Sequence, residues 1–389
     1  MGQRDEKRLP NIEALYIHIP FCRKKCFYCD FVSFPPEGLP VQEYCQALVV
    51  EGEMYQKLLP KNQKEIKSIY IGGGTPTCLP ASSLVKIITR MENLFPLARG
   101  GEITVECNPG TVDKVYMSML KRAGVNRLSV GAQSFDRRLL QEMGRIHGRN
   151  DILETVSQAK EAGFANINLD LIYGLPGQTM RQWFDTLSYA ASLPVTHLSV
   201  YGLKLSEQSF WGRSYLNGDL NLPDEDMSAE MQELAMDLLE SKGFIHYEIA
   251  NFARPGFFSV HNRVYWDNGN YLGIGLAASS HFENRRQTNC AALNTYLAQL
   301  EQGKFPVGAQ EILDRETEMG ETVFLGLRIL DGLSFHSFQQ RYGVDFRQRY
   351  ENQIEKLKRL GLVEYDNDRI KLTKKGIFLA NEVFLEFLP

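Results

Sequence analysis

Ala14-Leu15-Tyr16-Ile17-His18-Ile19-Pro20-Phe21-Cys22-Arg23-Lys24-Lys25-Cys26-Phe27-Tyr28-Cys29 is the stretch on which the fold turns. Its first six residues form a β-branched, strand-like run, Pro20 ends that run, and three cysteines follow within eight residues. A loop that returns three thiols so closely predicts one shared inorganic centre, because thiolate is the preferred ligand of iron-sulfur clusters and soft metals. Three ligands on a four-iron cluster leave one iron open to a substrate or cofactor, as the open position of a catalytic zinc holds water. A structural zinc site would want a second Cys or His pair at fixed spacing, and none appears. A redox disulfide would need only two of the three thiols. Zinc binding and thiol redox chemistry stand as the alternatives to a cluster. Cys45, Cys78, Cys107 and Cys290 occur singly and read as buried apolar cysteines.

Outward from this loop the first two hundred residues repeat one unit. Short β-branched runs at Leu15 to Ile19, Ile66 to Ile71, Glu102 to Glu106, Arg127 to Gly131, Ile167 to Ile172 and His197 to Tyr201 are separated by helical stretches. Alternation of this kind builds a parallel sheet with right-handed crossovers, and six units predict an α/β fold with a partial TIM-type barrel. An open doubly wound sheet is the alternative that pattern alone leaves standing. In a barrel the chemistry sits on the loops after the strands. Here Gly72-Gly73-Gly74-Thr75-Pro76-Thr77, Glu106, Gln133 and Asp170 fall at successive strand ends. Glycines there let the backbone approach a ligand and offer its amides, although a tight turn accounts for a glycine run equally well.

Composition bounds the rest. With 389 residues, 43 Lys and Arg against 47 Asp and Glu, and a formal net charge of -4, the chain lacks the concentrated basic surface of a nucleic-acid binder. Met1 to Pro10 is charged without an apolar core segment, and no apolar run reaches the roughly 18 residues that span a bilayer. The expected compartment is reducing and cytoplasmic.

The cysteine spacing, three residues then two, resembles that of the radical SAM enzymes. Tyr16-Ile17-His18-Ile19-Pro20-Phe21-Cys22, Gly72 to Thr77, Arg127 to Phe135 and Asp170 to Thr179 together resemble the radical SAM family that contains oxygen-independent coproporphyrinogen III dehydrogenases and HemW-type heme chaperones. With the tail, the likeness covers nearly the whole chain. It implies that Cys22, Cys26 and Cys29 ligate a 4Fe-4S cluster. It further implies that Tyr16, Tyr28, Gly73, Gly74, Thr75, Glu106, Gln133, Arg145, Asp170 and Lys204 line a site for S-adenosylmethionine. Arg145 is the group suited to meet a carboxylate by paired hydrogen bonds.

Two departures separate the branches of that family. The dehydrogenases carry a further cysteine two residues after the third, where Phe31 stands here, and a longer arm before the first strand. His261-Asn262-Arg263-Val264-Tyr265-Trp266 matches the H-N-x-x-Y-W signature of the chaperones, which implies heme held by His261, Asn262, Tyr265 and Trp266. Imidazole is a common axial ligand of heme iron, and flanking aromatics offer flat contact; a packed histidine is the plain alternative. The resemblance therefore implies a heme chaperone that delivers heme to apo-hemoproteins such as respiratory enzymes, with coproporphyrinogen dehydrogenation as the second reading.

The expected organisation is a barrel over 1–220 with the cluster and cofactor site, an extension over 221–309 with the heme motif, and a C-terminal helical unit over 310–389 with the outline of a winged helix. Gly-rich Tyr271 to Ser280 is expected at a sheet edge beside the same barrel mouth. Asp224 to Lys242, with apolar residues on one side, reads as a core-packing helix. Mixed charges on the last unit favour packing or partner docking over DNA. Peripheral membrane contact through an apolar patch and pairing into a homodimer are left open by the sequence.

Overall fold

The computed structural model describes residues 9–389; residues 1–8, at the start of the expected first unit, lie outside the described residues. Strands β1 (Ala14–Ile19), β2 (Ile66–Gly73), β3 (Leu97–Cys107), β4 (Arg127–Gln133), β5 (Asn166–Tyr173) and β6 (His197–Gly202) pair in parallel, in chain order. Beyond β6 lie β7 (Ile245–Glu248) and β8 (Asn251–Ala253), both antiparallel. On the other side β9 (Tyr271–Ile274) runs parallel to β1 and is followed by antiparallel β10 (Ser279–Phe282), β11 (Arg285–Asn289) and β12 (Val307–Ile312). The sheet order is β12-β11-β10-β9-β1-β2-β3-β4-β5-β6-β8-β7, so the barrel stays open between two edge strands.

Period-two alternation along the strands decides what faces where. Leu15, Ile17, Ile69, Ile71, Ile103, Val105, Leu128, Val130, Ile167 and Leu169 are at most 1% exposed and form one core. Helices Val41–Leu58, Ala81–Leu94, Lys114–Arg122, Arg149–Glu161 and Met180–Ser192 fill the gaps between the strands. Each such aliphatic side chain contributes about 1.5–3 kcal/mol on burial. The alternate positions Tyr16, Ser68, Tyr70, Glu106, Ser129, Asn168, Asp170 and His197 carry polar groups and bond to one another or to neighbouring loops across the concave side. Filled barrels put bulky branched residues on this side; here most of the inward positions are polar.

Glu225–Ser241 is helical, capped by the Asp224 carboxylate on the Met227 amide at 2.7 Å, and buries Met231, Ala235, Met236 and Leu239, as expected for a packing helix. The last unit holds β13 (Leu333–Ser334), β14 (Val363–Tyr365) and β15 (Arg369–Leu372) in a separate sheet of order β13-β15-β14, with helices Arg315–Leu327, Phe335–Tyr342 and Glu351–Arg359 around it. Two expectations change. A boundary at 309/310 falls inside β12, which stays paired with β11, and the helical unit follows from its Asp314 cap. The strand opening the Tyr271 stretch is interior to the sheet, because β9 pairs on one side with β1 and on the other with β10.

Candidate functional site

The C-terminal ends of β2 to β6 and the cysteine loop enclose a cavity of about 550 Å3. Cys22, Cys26, Tyr28, Cys29, Gly73, Gly74, Thr75, Glu106, Gln133, Arg145, Asp170 and Lys204 all line it, so twelve of the thirteen residues expected to hold cluster or cofactor come together. Tyr16 is the exception. It lies outside the lining, its ring 6.2 Å from that of Tyr70 and its hydroxyl 3.0 Å from His18 Nδ1.

Local geometry explains the residue types. Gly73 has φ 110°, and a Cβ there would meet the His18 ring at 2.5 Å, while a Cβ on Gly72 would meet the Glu106 carboxylate at 2.8 Å. The glycine run is therefore required by close packing of backbone against the site. Glu106 Oε2 accepts from the Gly73 amide at 3.1 Å and Oε1 from the Tyr70 hydroxyl at 2.7 Å. Burial pushes the Glu106 carboxyl up to about 7 against these two bonds, and burial also raises Asp170, which accepts from Asn168 at 2.9 Å and Ser129 at 3.2 Å. Gln133 ends β4 at φ 65°, a left-handed conformation that costs a non-glycine residue roughly 1–3 kcal/mol and persists where its surroundings impose it.

The cysteine loop is tied to the strand ends through its sulfurs. Thr75 Oγ1 lies 3.2 Å from Cys22 Sγ and accepts from Asn108 at 2.7 Å. Arg145 donates to Cys26 Sγ at 3.4 Å, to Asn108 Oδ1 at 2.9 Å and to the Gly131 carbonyl. A guanidinium and a hydroxyl stand beside the Cys26 and Cys22 sulfurs, while burial raises the Cys29 thiol. Among the described residues no three His, Cys, Asp or Glu side chains gather closely enough to hold a single ion. The loop thiols Cys22, Cys26 and Cys29 all line one cavity wall.

The H-N-x-x-Y-W motif lies elsewhere. Helix Val260–Trp266 precedes β9, whose first residue pairs with Ala14 at the start of β1, so the motif sits at the barrel end opposite the cysteine loop. His261 is 1% exposed; its Nδ1 meets Ser68 Oγ at 2.9 Å and its Nε2 meets the Tyr265 hydroxyl at 2.8 Å. Burial lowers its pKa to about 3, so it is neutral at ordinary pH. The helix start is held by Glu102, which accepts from the Val260 amide at 3.2 Å and the His261 amide at 3.3 Å, and the Asn262 amide bonds the Ser259 cap. Trp266 is covered by the Arg328 guanidinium at 4.3 Å from its ring. As folded, the motif packs at the barrel end away from the cysteine loop with both imidazole nitrogens engaged.

Residues that the sequence reading missed include Tyr70, Asn108 and Ser129, all on the cavity wall. The strand phase could have found Tyr70 and Ser129, which share their strand faces with Gly72 of the glycine run and with Gly131; Asn108 carries no comparable signal. Of the single cysteines only Cys107 is fully buried.

An open parallel barrel with a three-cysteine loop and a glycine-carboxylate rim defines a radical SAM protein, and the radical SAM superfamily model matches residues 16–190, with the HemN C-terminal domain model matching 313–379. Coproporphyrinogen III oxidase (HemN) from Escherichia coli superposes with a TM-score of 0.84 at 25% identity, covering 98% of this chain and 91% of that one. Proteins named heme chaperone HemW are more similar in sequence: 37% identity to that of Lactococcus lactis over 96% of this chain and 97% of the relative, and 37% to that of Bacillus subtilis over 97% and 99%. The chain belongs to this HemW family.

Proposed function

We propose that this protein is a heme chaperone whose Cys22, Cys26 and Cys29 hold a 4Fe-4S cluster and whose cavity holds S-adenosylmethionine. The observation that supports it most is the near full-length similarity to HemW proteins combined with a cysteine loop that carries Phe31 where the dehydrogenases have a fourth cysteine. When bound, a cluster with one iron free of protein ligands supplies an electron to a chelated sulfonium cofactor. The protein's own residues do the holding. Arg145 and Thr75 balance charge on the sulfurs, Gly73 and Gly74 admit the cofactor backbone, and Glu106, Gln133 and Asp170 offer acceptors to its amino and hydroxyl groups.

The cargo is heme and the recipients are apo-hemoproteins, respiratory enzymes among them. The division into a cluster-bearing barrel, an extension with the H-N-x-x-Y-W helix and a C-terminal cap belongs to the same proposal. Among the described residues no helix is long and apolar enough to cross a membrane. The test is anaerobic reconstitution with iron and sulfide, followed by parallel incubation with heme and with coproporphyrinogen III plus S-adenosylmethionine and reductant. Saturable heme binding without decarboxylated product supports the chaperone; formation of protoporphyrinogen overturns it.

A further inference from the structure

A single file of hydrogen bonds runs from the cavity to the far end of the barrel. Asp170 lines the cavity, and the Asn168 side-chain amide gives one N–H to its Oδ1 at 2.9 Å and the other to Ser129 Oγ at 2.8 Å. With both N–H groups spent, Asn168 presents Oδ1 as an acceptor. His197 Nδ1 stands 2.6 Å from it on the neighbouring strand, where the two residues are register partners. Burial holds His197 well below the usual imidazole range, so its ring is neutral and its one N–H is on Nδ1. Nε2 is left to accept from the Tyr247 hydroxyl at 2.9 Å, and the Tyr247 oxygen in turn accepts the Ser259 amide at 3.2 Å. Ser259 is the N-cap of helix Val260–Trp266, its Oγ taking the Asn262 amide at 3.3 Å.

We infer that His197 and Tyr247 are positioning residues for the cavity: they hold the Asp170 carboxylate in place for a hydroxyl-bearing cofactor and tie its occupancy to the start of the Val260–Trp266 helix. The inference rests on the S-adenosylmethionine reading above. Every donor in the chain points toward Asp170, so each bond polarises the next in the same sense. Asn168, His197, Tyr247 and Ser259 are at most 3% exposed and lie outside the cavity lining, so they act on a ligand only through Asp170. Asp170 keeps acceptor capacity for that ligand, since the protein places one donor on each of its oxygens, Asn168 on Oδ1 and Ser129 on Oδ2. Coupling of this kind is reciprocal: a ligand that fixes Asp170 steadies the helix cap, and a break at Tyr247 loosens Asp170. Glu102 holds the helix start independently, through the Val260 and His261 amides, so the helix survives such a break.

The test uses anaerobically reconstituted full-length protein, with affinities expressed per cluster from iron and sulfide content. It reads S-adenosylmethionine binding by equilibrium dialysis and amide exchange over residues 259–266 by mass spectrometry. In the wild type, saturating S-adenosylmethionine is expected to slow that exchange about fivefold or more. Tyr247→Phe keeps the ring stacked on Phe258, at 4.3 Å and 12° in the wild type, and removes only the hydroxyl. It is expected to weaken S-adenosylmethionine about fivefold and to lose the protection at saturating ligand. Tyr296→Phe removes another buried hydroxyl, the one on Glu51 at 2.6 Å, and is expected to stay within about twofold of wild type in both readouts. Unchanged affinity in Tyr247→Phe overturns the inference, as does protection that survives in that variant or is missing from a wild type that binds the ligand. An equal loss in both tyrosine variants overturns it too, since general loosening then accounts for the effect. No saturable S-adenosylmethionine binding by the wild type removes the cofactor reading and the inference with it, a result distinguishable from the others.

Discussion

At the scale of single residues, Glu106 offers the sharpest handle. Its carboxyl is pushed up to about 7 by burial, so the fraction present as carboxylate grows as pH rises through that value. A ligand with a cationic amino group should bind the reconstituted protein more tightly at pH 8 than at pH 6, by about tenfold, and Glu106→Gln should flatten that rise. Equilibrium dialysis of S-adenosylmethionine across pH reads both. Gly73 gives a second prediction: with φ 110° and the His18 ring 2.5 Å from any Cβ, Gly73→Ala should destabilise the fold by roughly 2–4 kcal/mol in urea unfolding and abolish cofactor binding. The polar strand-end residues were legible because they recur at one relative position in successive units. Tyr16 rests on the resemblance alone; it lies level with Tyr70 on the neighbouring strand, its hydroxyl engaged by His18 Nδ1 and outside the cavity lining.

At the scale of elements, the helix Val260–Trp266 shows what periodicity conveys and what it cannot. Its aromatic content was readable; its location depends on β9 returning beside β1, a pairing between residues over 250 apart that no local pattern announces. His261→Ala leaves the Ser68 and Tyr265 hydroxyls without their shared partner and should cost about 2–3 kcal/mol of stability by urea unfolding. The C-terminal unit clamps the turn that follows this helix. Arg341 donates to the Asn268 carbonyl at 2.8 Å and pairs with Glu318 at 3.3 Å, and Asn268 donates to Thr322 at 2.8 Å. Arg341→Ala should cost about 1–2 kcal/mol and raise amide exchange over residues 260–270 while leaving exchange in β3 to β5 unchanged.

At the scale of the whole molecule, the six parallel strands were each legible to within a few residues, because one face of every strand packs on helices and the turn residues punctuate the runs. Of the added strands only the Tyr271 stretch was expected in the sheet; β7, β8, β11 and β12 were not, being short and built from mixed sequence whose only instruction is pairing with neighbours already in place. Stability should follow pH through a group far from the cavity. Glu51 is fully buried, accepting from Tyr296 at 2.6 Å, Asn289 at 2.6 Å and the Gly275 amide at 2.8 Å, and burial raises it from 4.5 to about 7. A carboxyl raised in the folded state stabilises fully below its unfolded value and loses that contribution as pH climbs to its folded value. Unfolding free energy should therefore fall by about 3 kcal/mol from this group between pH 4.5 and 7, and Glu51→Gln should make the decline shallower in urea titrations.

The polar concave face of the sheet has a calorimetric consequence. Exposure of apolar surface raises the heat capacity of unfolding and exposure of polar surface lowers it. A barrel whose inward positions are Tyr70, Glu106, Arg127, Ser129, Asn168, Asp170 and His197 releases less apolar area to water than one filled with valine and isoleucine. Its heat-capacity increment should lie below the usual range of about 12–15 cal/mol/K per residue, giving a flatter stability curve with temperature than a filled barrel of the same length.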